Sequence, residues 1–156
     1  MAGYTVFLDY MRACLVTDYL MIVISILALA FYLLAITASL HLLLHPAQKG
    51  YRQLFACVAL ALTLHGVSLI EEVVTQSGQN LSLLNVASLV SLIINTFMTL
   101  VVRRFNGWVL LPVVYGFSSL LIVADTLIPS RFMTHLEAHP QLLLHIGLAL
   151  LAYSVL

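Results

Sequence analysis

The sequence predicts an all-α polytopic membrane protein: a helix bundle with about five transmembrane helices, the last of them truncated. Two observations predict it. Of the 156 residues, 63% are apolar and 8% charged, against roughly 45–50% and 25% in an ordinary soluble domain. The apolar residues also fall in long uninterrupted runs, near the ~20 residues a helix needs to cross about 30 Å of hydrocarbon. With a mean hydropathy of +1.11, this excludes a soluble enzyme, a disordered chain and a disulfide-rich secreted domain. The runs are too long and too continuous for barrel strands, which alternate over about ten residues.

The elements follow in order. Residues 1–18 read as an outer N-terminal tail and 19–156 as the bundle, with spans near 19–44, 52–72, 81–102, 107–127 and 140–156. The first run, from Tyr19, holds no Asp, Glu, Lys, Arg or His before His41 and exceeds the apolar stretch of about 7–15 residues in a signal peptide, so it reads as a retained span. At its far end His41 and His45 stand beside Pro46 and Lys49 and read as interface anchors. The second run is interrupted only by His65. The third is uncharged, with Asn80 the expected N-cap. The fourth carries Pro112, placed to kink it, and Pro129 to end it. The fifth runs from Gln141 to Leu156, only about 24 Å of helix. Pro140 suits its first turn, and the chain is expected to stop inside it.

Basic residues set the expected orientation. Lys49 and Arg52 lie at the first connection, Arg103 and Arg104 at the third, against Arg12 and Arg131 on the other side. The first and third connections are therefore expected in the cytoplasm and the N-terminus outside. The acids Asp9, Asp18, Glu71, Glu72, Asp125 and Glu137 then all fall outside, and Tyr51 and Trp108 at the inner aromatic belt. The balanced net charge of +0 leaves no basic surface for a nucleic-acid partner. Cys14 and Cys57 make no disulfide framework and no four-cysteine zinc site.

An ionisable side chain inside a span is costly and is a functional candidate by default. At 100° per residue, Cys57, Ala61, His65, Ser68 and Glu72 share an arc of roughly 80°, a polar stripe opening outward. His65 reads as a ligand or proton-relay histidine, or as one that hydrogen-bonds a neighbouring helix. His145 lies about a turn into the fifth helix, on a face shared with Ala149 and Ala152, where small residues let a helix or flat cofactor approach; the alternative is an interfacial histidine. His135 and His139 are four apart, but His139 precedes Pro140, which disfavours helical geometry there, and the pair reads as solvated loop residues. In the third helix Asn85, Ser88, Ser91, Asn95, Thr96 and Thr99 cover an arc of about 140°, expected to face the bundle as helix–helix glue or as the wall of a substrate cavity. No nucleophile–base pair, phosphate loop or carboxylate dyad is visible, so no enzyme activity is expected.

Two stretches carry a resemblance. One is Ser77-Gly-Gln-Asn-Leu-Ser-Leu-Leu-Asn85, continuing Val86-Ala-Ser-Leu-Val-Ser-Leu92. The other is His135-Leu-Glu-Ala-His-Pro-Gln-Leu-Leu-Leu-His-Ile-Gly-Leu-Ala-Leu-Leu-Ala-Tyr-Ser154. In this order they resemble the cytochrome c assembly protein family of haem-handling membrane proteins, and most nearly an inner-membrane branch of it in proteobacteria, over roughly Ile22 to Leu156. The resemblance implies a helical bacterial inner-membrane protein of about eight spans that binds or delivers haem near its outer face through histidines. It implies His65 and His145 as haem ligands; Glu72, His135, His139, Asn85 and Asn95 are the candidates to support them. It also identifies departures. The only tryptophan, Trp108, falls inside, so no tryptophan-rich haem loop is present, and later helices are missing. The chain therefore resembles an N-terminal portion of the family unit, whose expected partners are the lipid bilayer, haem and other membrane subunits or a chain supplying the missing helices. The readings left beside it are a permease component for a small solute or ion, motivated by the polar arc beside His65 and Glu72, and a structural subunit without cofactor.

Overall fold

In the computed structural model, which describes residues 2–45, 51–75, 78–105, 107–128, 132–134 and 140–155, five helices carry the fold. They are α1 (Ala2–Leu44), α2 (Tyr51–Val73), α3 (Leu83–Phe105), α4 (Leu111–Leu127) and α5 (Pro140–Val155). Four apolar stretches are long enough to cross a membrane: Leu15–Leu44, Tyr51–Val73, Leu83–Val102 and Trp108–Leu127. The fifth, over Leu144–Ser154, is shorter, as its composition predicts.

Several boundaries differ from the sequence expectation. Helix α1 does not begin at Tyr19. It continues back through the tail to Ala2, a stretch without proline and so without a local reason to stop. The cap of α3 is Ser82, not Asn80: the Asn85 N–H points to Ser82 Oγ at 3.3 Å, the Ncap-to-N3 bond. Asn80 instead lies in a strand. Pro112 does not kink a helix interior. A 3-10 turn, Trp108–Leu110, passes into α4 at Leu111 and places the proline in its first turn, where no N–H is missed.

Helices α1 to α4 form a closed ring, α1 against α2 and α4, and α3 against α2 and α4. Helix α5 lies outside it, against α3. A stripe on α1 at spacings of three and four, Ser25, Ala28, Tyr32, Ala35 and Ser39, is buried. Its small residues let the backbones of its neighbours approach closely. The interior is half polar: among the described residues twelve buried side chains are apolar and twelve polar. Large apolar residues such as Leu33, Leu34, Leu100 and Leu120 are exposed. In water that surface would be a liability; in lipid it is the natural covering, and the polar groups must be satisfied within the bundle. Many hydroxyls meet that demand inside their own helix. Thr63, Ser91, Thr96, Ser119 and Thr126 each donate to a carbonyl one turn back.

The two ends of the ring differ. At one end, Trp108 meets Tyr51 and Phe55 at ring separations of 4.9 and 6.4 Å, near the exposed Arg104; His41 and His45 stack there at 4.7 Å. At the other, three short antiparallel strands pair in sequence order: β1 (Val74–Thr75), β2 (Gly78–Asn80) and β3 (Met133–Thr134). Asn80 Oδ1 accepts the Phe132 N–H at 2.9 Å, and the Leu81 N–H donates to the Phe132 carbonyl at 2.9 Å. The connection ahead of α3 and the one after α4, the latter expected as an irregular loop, are thus stitched together across this strand end.

Candidate functional site

The polar stripe of α2 points into the ring. Ala61, His65 and Ser68 are buried and Cys57 and Glu72 half-buried. His65 lies eight residues from the end of α2, about 12 Å below the strand end, and is 1% exposed. Its Nδ1 meets Tyr32 Oη at 3.1 Å, the two rings edge to face. The Asn95 amide donates from Nδ2 both to Tyr32 Oη, at 3.3 Å, and to Ser118 Oγ, at 2.6 Å. Four helices therefore meet in one hydrogen-bonded chain, His65–Tyr32–Asn95–Ser118. A second pair lies beside it, Thr99 with Tyr115 at 2.8 Å. Among the described residues two buried side-chain atoms have no partner, His65 Nε2 and Asn95 Oδ1.

Above His65 a cleft runs toward the strand end. Ser25 lines it from α1, His65, Ser68, Leu69 and Glu72 from α2, Ser88 from α3, and Ile122, Asp125 and Thr126 from α4. The Glu72 and Asp125 carboxyls both face this cleft, from α2 and α4. The enclosed space is about 10 Å³, room for about one water, where cofactor sites run to about 300–1,000 Å³. No group of three metal-ligating side chains lies close enough to hold an ion among the described residues.

The structure gathers some of the expected site residues and not others. His65 and Glu72 share the cleft, and Asn95 supports His65 through Tyr32. Asn85 is buried but structural, its Nδ2 donating to the Asn80 carbonyl at 3.0 Å. His145 is not among the cleft walls; it is exposed on α5. His135 and His139 lie outside the described residues. Three participants escaped the sequence reading. Tyr32 and Ser118 resemble ordinary span residues, although Tyr32 falls on the spacing of the small α1 stripe. Asp125 stands out only as one more acid at a helix end, and its facing Glu72 is a tertiary fact.

The imidazoles therefore differ in what they fit. His65 Nε2 has the chemistry of an iron ligand, its other nitrogen held by a partner, but a water-sized cleft does not admit a macrocycle. His145 is open to its surroundings, and a side chain placed at nearby Gly147 would meet nothing within 4 Å.

No family model matches the chain, and no solved structure matches it. Proteins named inner membrane protein YpjD, from Escherichia coli strains K12, O6:H1 and O157:H7, are each 42% identical to it over 136 residues, 86% of this chain. The aligned part is 52% of each relative, so the chain spans about half the length of the curated relatives it matches. The chain is thus a multi-spanning helical membrane protein, homologous to part of the protein named inner membrane protein YpjD.

Proposed function

We propose that the chain forms one bundle of a haem-handling protein of the bacterial inner membrane, with haem held at the outer face through His145. The observation that supports this best is the open imidazole of His145 on α5, a helix outside the ring that packs on α3. The face it shares with the exposed Ala152 is free to meet a flat ligand. The resemblance to cytochrome c assembly proteins and the name of the relatives supply haem and the inner membrane. Haem brings an iron centre that takes imidazole as an axial ligand; this chain's part is to hold one such nitrogen at a fixed depth. A second ligand comes from the sequence by which the relatives exceed this chain or from a partner subunit. The strand end is the outer end in this reading, since Arg52, Arg103 and Arg104 stand at the opposite ends of α2 and α3.

Solute permeation gains nothing from the geometry. The cleft has room for about one water, and Asn85 and Asn95 of the polar arc are hydrogen-bonded to neighbours.

The experiment is a visible spectrum of protein purified from membranes of haem-replete cells. A Soret band is expected, lost in His145→Ala and retained in His65→Ala. No band, or a band unchanged in His145→Ala, overturns the proposal.

A further inference from the structure

The two unpartnered buried atoms, His65 Nε2 and Asn95 Oδ1, belong to two members of one hydrogen-bond chain. Nδ1 of the same imidazole meets Tyr32 Oη, and Nδ2 of the same amide donates to that oxygen. A phenol has one proton and two lone pairs, so the chain has two self-consistent arrangements. In one, Asn95 N–H donates to Tyr32, Tyr32 O–H donates to Nδ1, and Nε2 carries the ring proton toward the cleft. In the other the Asn95 amide is turned over, the O/N ambiguity inherent in any primary amide. Oδ1 then accepts the Tyr32 and Ser118 hydroxyls, Nδ1–H donates to Tyr32, and Nε2 is a bare lone pair facing the cleft. Only the second arrangement takes a proton at Nε2 while keeping every bond of the chain.

A proton is at hand. Two carboxyl groups that share one site away from water do not both ionise, so one keeps its proton, and Glu72 and Asp125 line the same cleft as His65. The space between them and His65 suits a single water with hydroxyl partners from Ser25, Ser68 and Ser88.

We propose that this cleft is a proton-exchange site: one proton passes between the Glu72–Asp125 carboxyl pair and His65 Nε2 through a water, and the orientation of the Asn95 amide, relayed by Tyr32, decides whether His65 accepts it. In the step a carboxyl O–H breaks as a water O–H forms, and another water O–H breaks as Nε2–H forms. A carboxylate pair and an imidazolium remain, total charge is unchanged, and the reverse step restores the start. The titratable groups facing His65 are Tyr32 from α1, Glu72 from α2 and Asp125 from α4, with Tyr115 of α4 behind Tyr32 at a ring separation of 6.0 Å. Helix α3 contributes the neutral Ser88 and Asn95. The inference does not rest on the haem reading, because His145 does not line this cleft.

The test is solid-state NMR of the ring nitrogens in the full chain, ¹⁵N-labelled at histidine and reconstituted in phosphatidylcholine vesicles. The His65 signals are identified by their loss in His65→Asn. Between about pH 3 and pH 8, a range that reaches below the one in which exposed histidines switch, the wild-type His65 ring is expected to change protonation. Glu72→Gln with Asp125→Asn abolishes that response. Asn95→Leu, which offers Tyr32 no acceptor, holds the ring as the Nε2–H tautomer at every pH. Asn95→Asp, similar in shape and acceptor-only when ionised, then holds Nδ1–H and keeps the test usable should the leucine variant not fold. A wild-type ring that stays in one neutral tautomer across the range, or a carboxyl double variant that responds like wild type, overturns the proposal.

Discussion

At the scale of the residue, the bilayer decides which polar side chains matter, because a group facing lipid has no water to fall back on. Asn95 is 0% exposed and bridges α1, α3 and α4 through Tyr32 and Ser118. Asn95→Leu removes both bonds and leaves two hydroxyls to find other partners. It is expected to cost about 1–2 kcal/mol in detergent unfolding, from ~0.6–1.7 kcal/mol per interhelical bond. Thr96 lies on the same helix but is exposed and bonded to its own Leu92 carbonyl. Thr96→Val in the same assay is expected within about 0.5 kcal/mol of wild type. The difference shows what was legible in the sequence. An amide, a carboxylate or an imidazole inside an apolar run announces itself, and His65, Glu72 and Asn95 were found that way. Tyr32 and Ser118 are common in spans and gain their meaning only from the partner each meets. The pairing of His65 with His145 likewise could not be tested by spacing, since it depends on where α5 docks.

At the scale of the element, periodicity carried the reading of α3. The expected inward arc holds for Asn85, Ser88, Ser91, Asn95 and Thr99, which are buried, while Leu83 and Phe97 on the other side are exposed. Thr96, at the arc's edge, turns out to be exposed. Helix ends were less legible, because they depend on which of several nearby polar residues closes the first turn. Ser82→Ala is expected to destabilise the start of α3 by about 1 kcal/mol, read as faster amide exchange at residues 83–86. Asn80→Ala instead removes an acceptor for the Phe132 N–H, and its effect is expected in exchange at the 132–134 strand. The strands were invisible beforehand for a simple reason. Pairs of two or three residues have no room for the alternation by which a strand is recognised.

At the scale of the whole molecule, four helices close a ring and the fifth leans on one of them. The number of spans followed from length and hydropathy alone, but the ring order did not, because which helices lie side by side is a tertiary fact that the hydropathy of each helix does not encode. Sidedness has a direct check. In a variant without Cys14 and Cys57, an impermeant thiol reagent added to intact cells is expected to label Phe132→Cys and not Arg104→Cys, two exposed positions at opposite ends. The reverse pattern inverts the proposed orientation.

The stitched connections have a mechanical consequence. Asn80 and Leu81 bind the backbone ahead of α3 to the backbone after α4, so these two stretches form a small plate. Glu72 stands two residues before the first strand of that plate. A subunit or ligand that settled on the plate would therefore push on one carboxyl of the Glu72–Asp125 pair through the chain itself, and docking at the surface would be felt as a changed distance between two acids within the bundle.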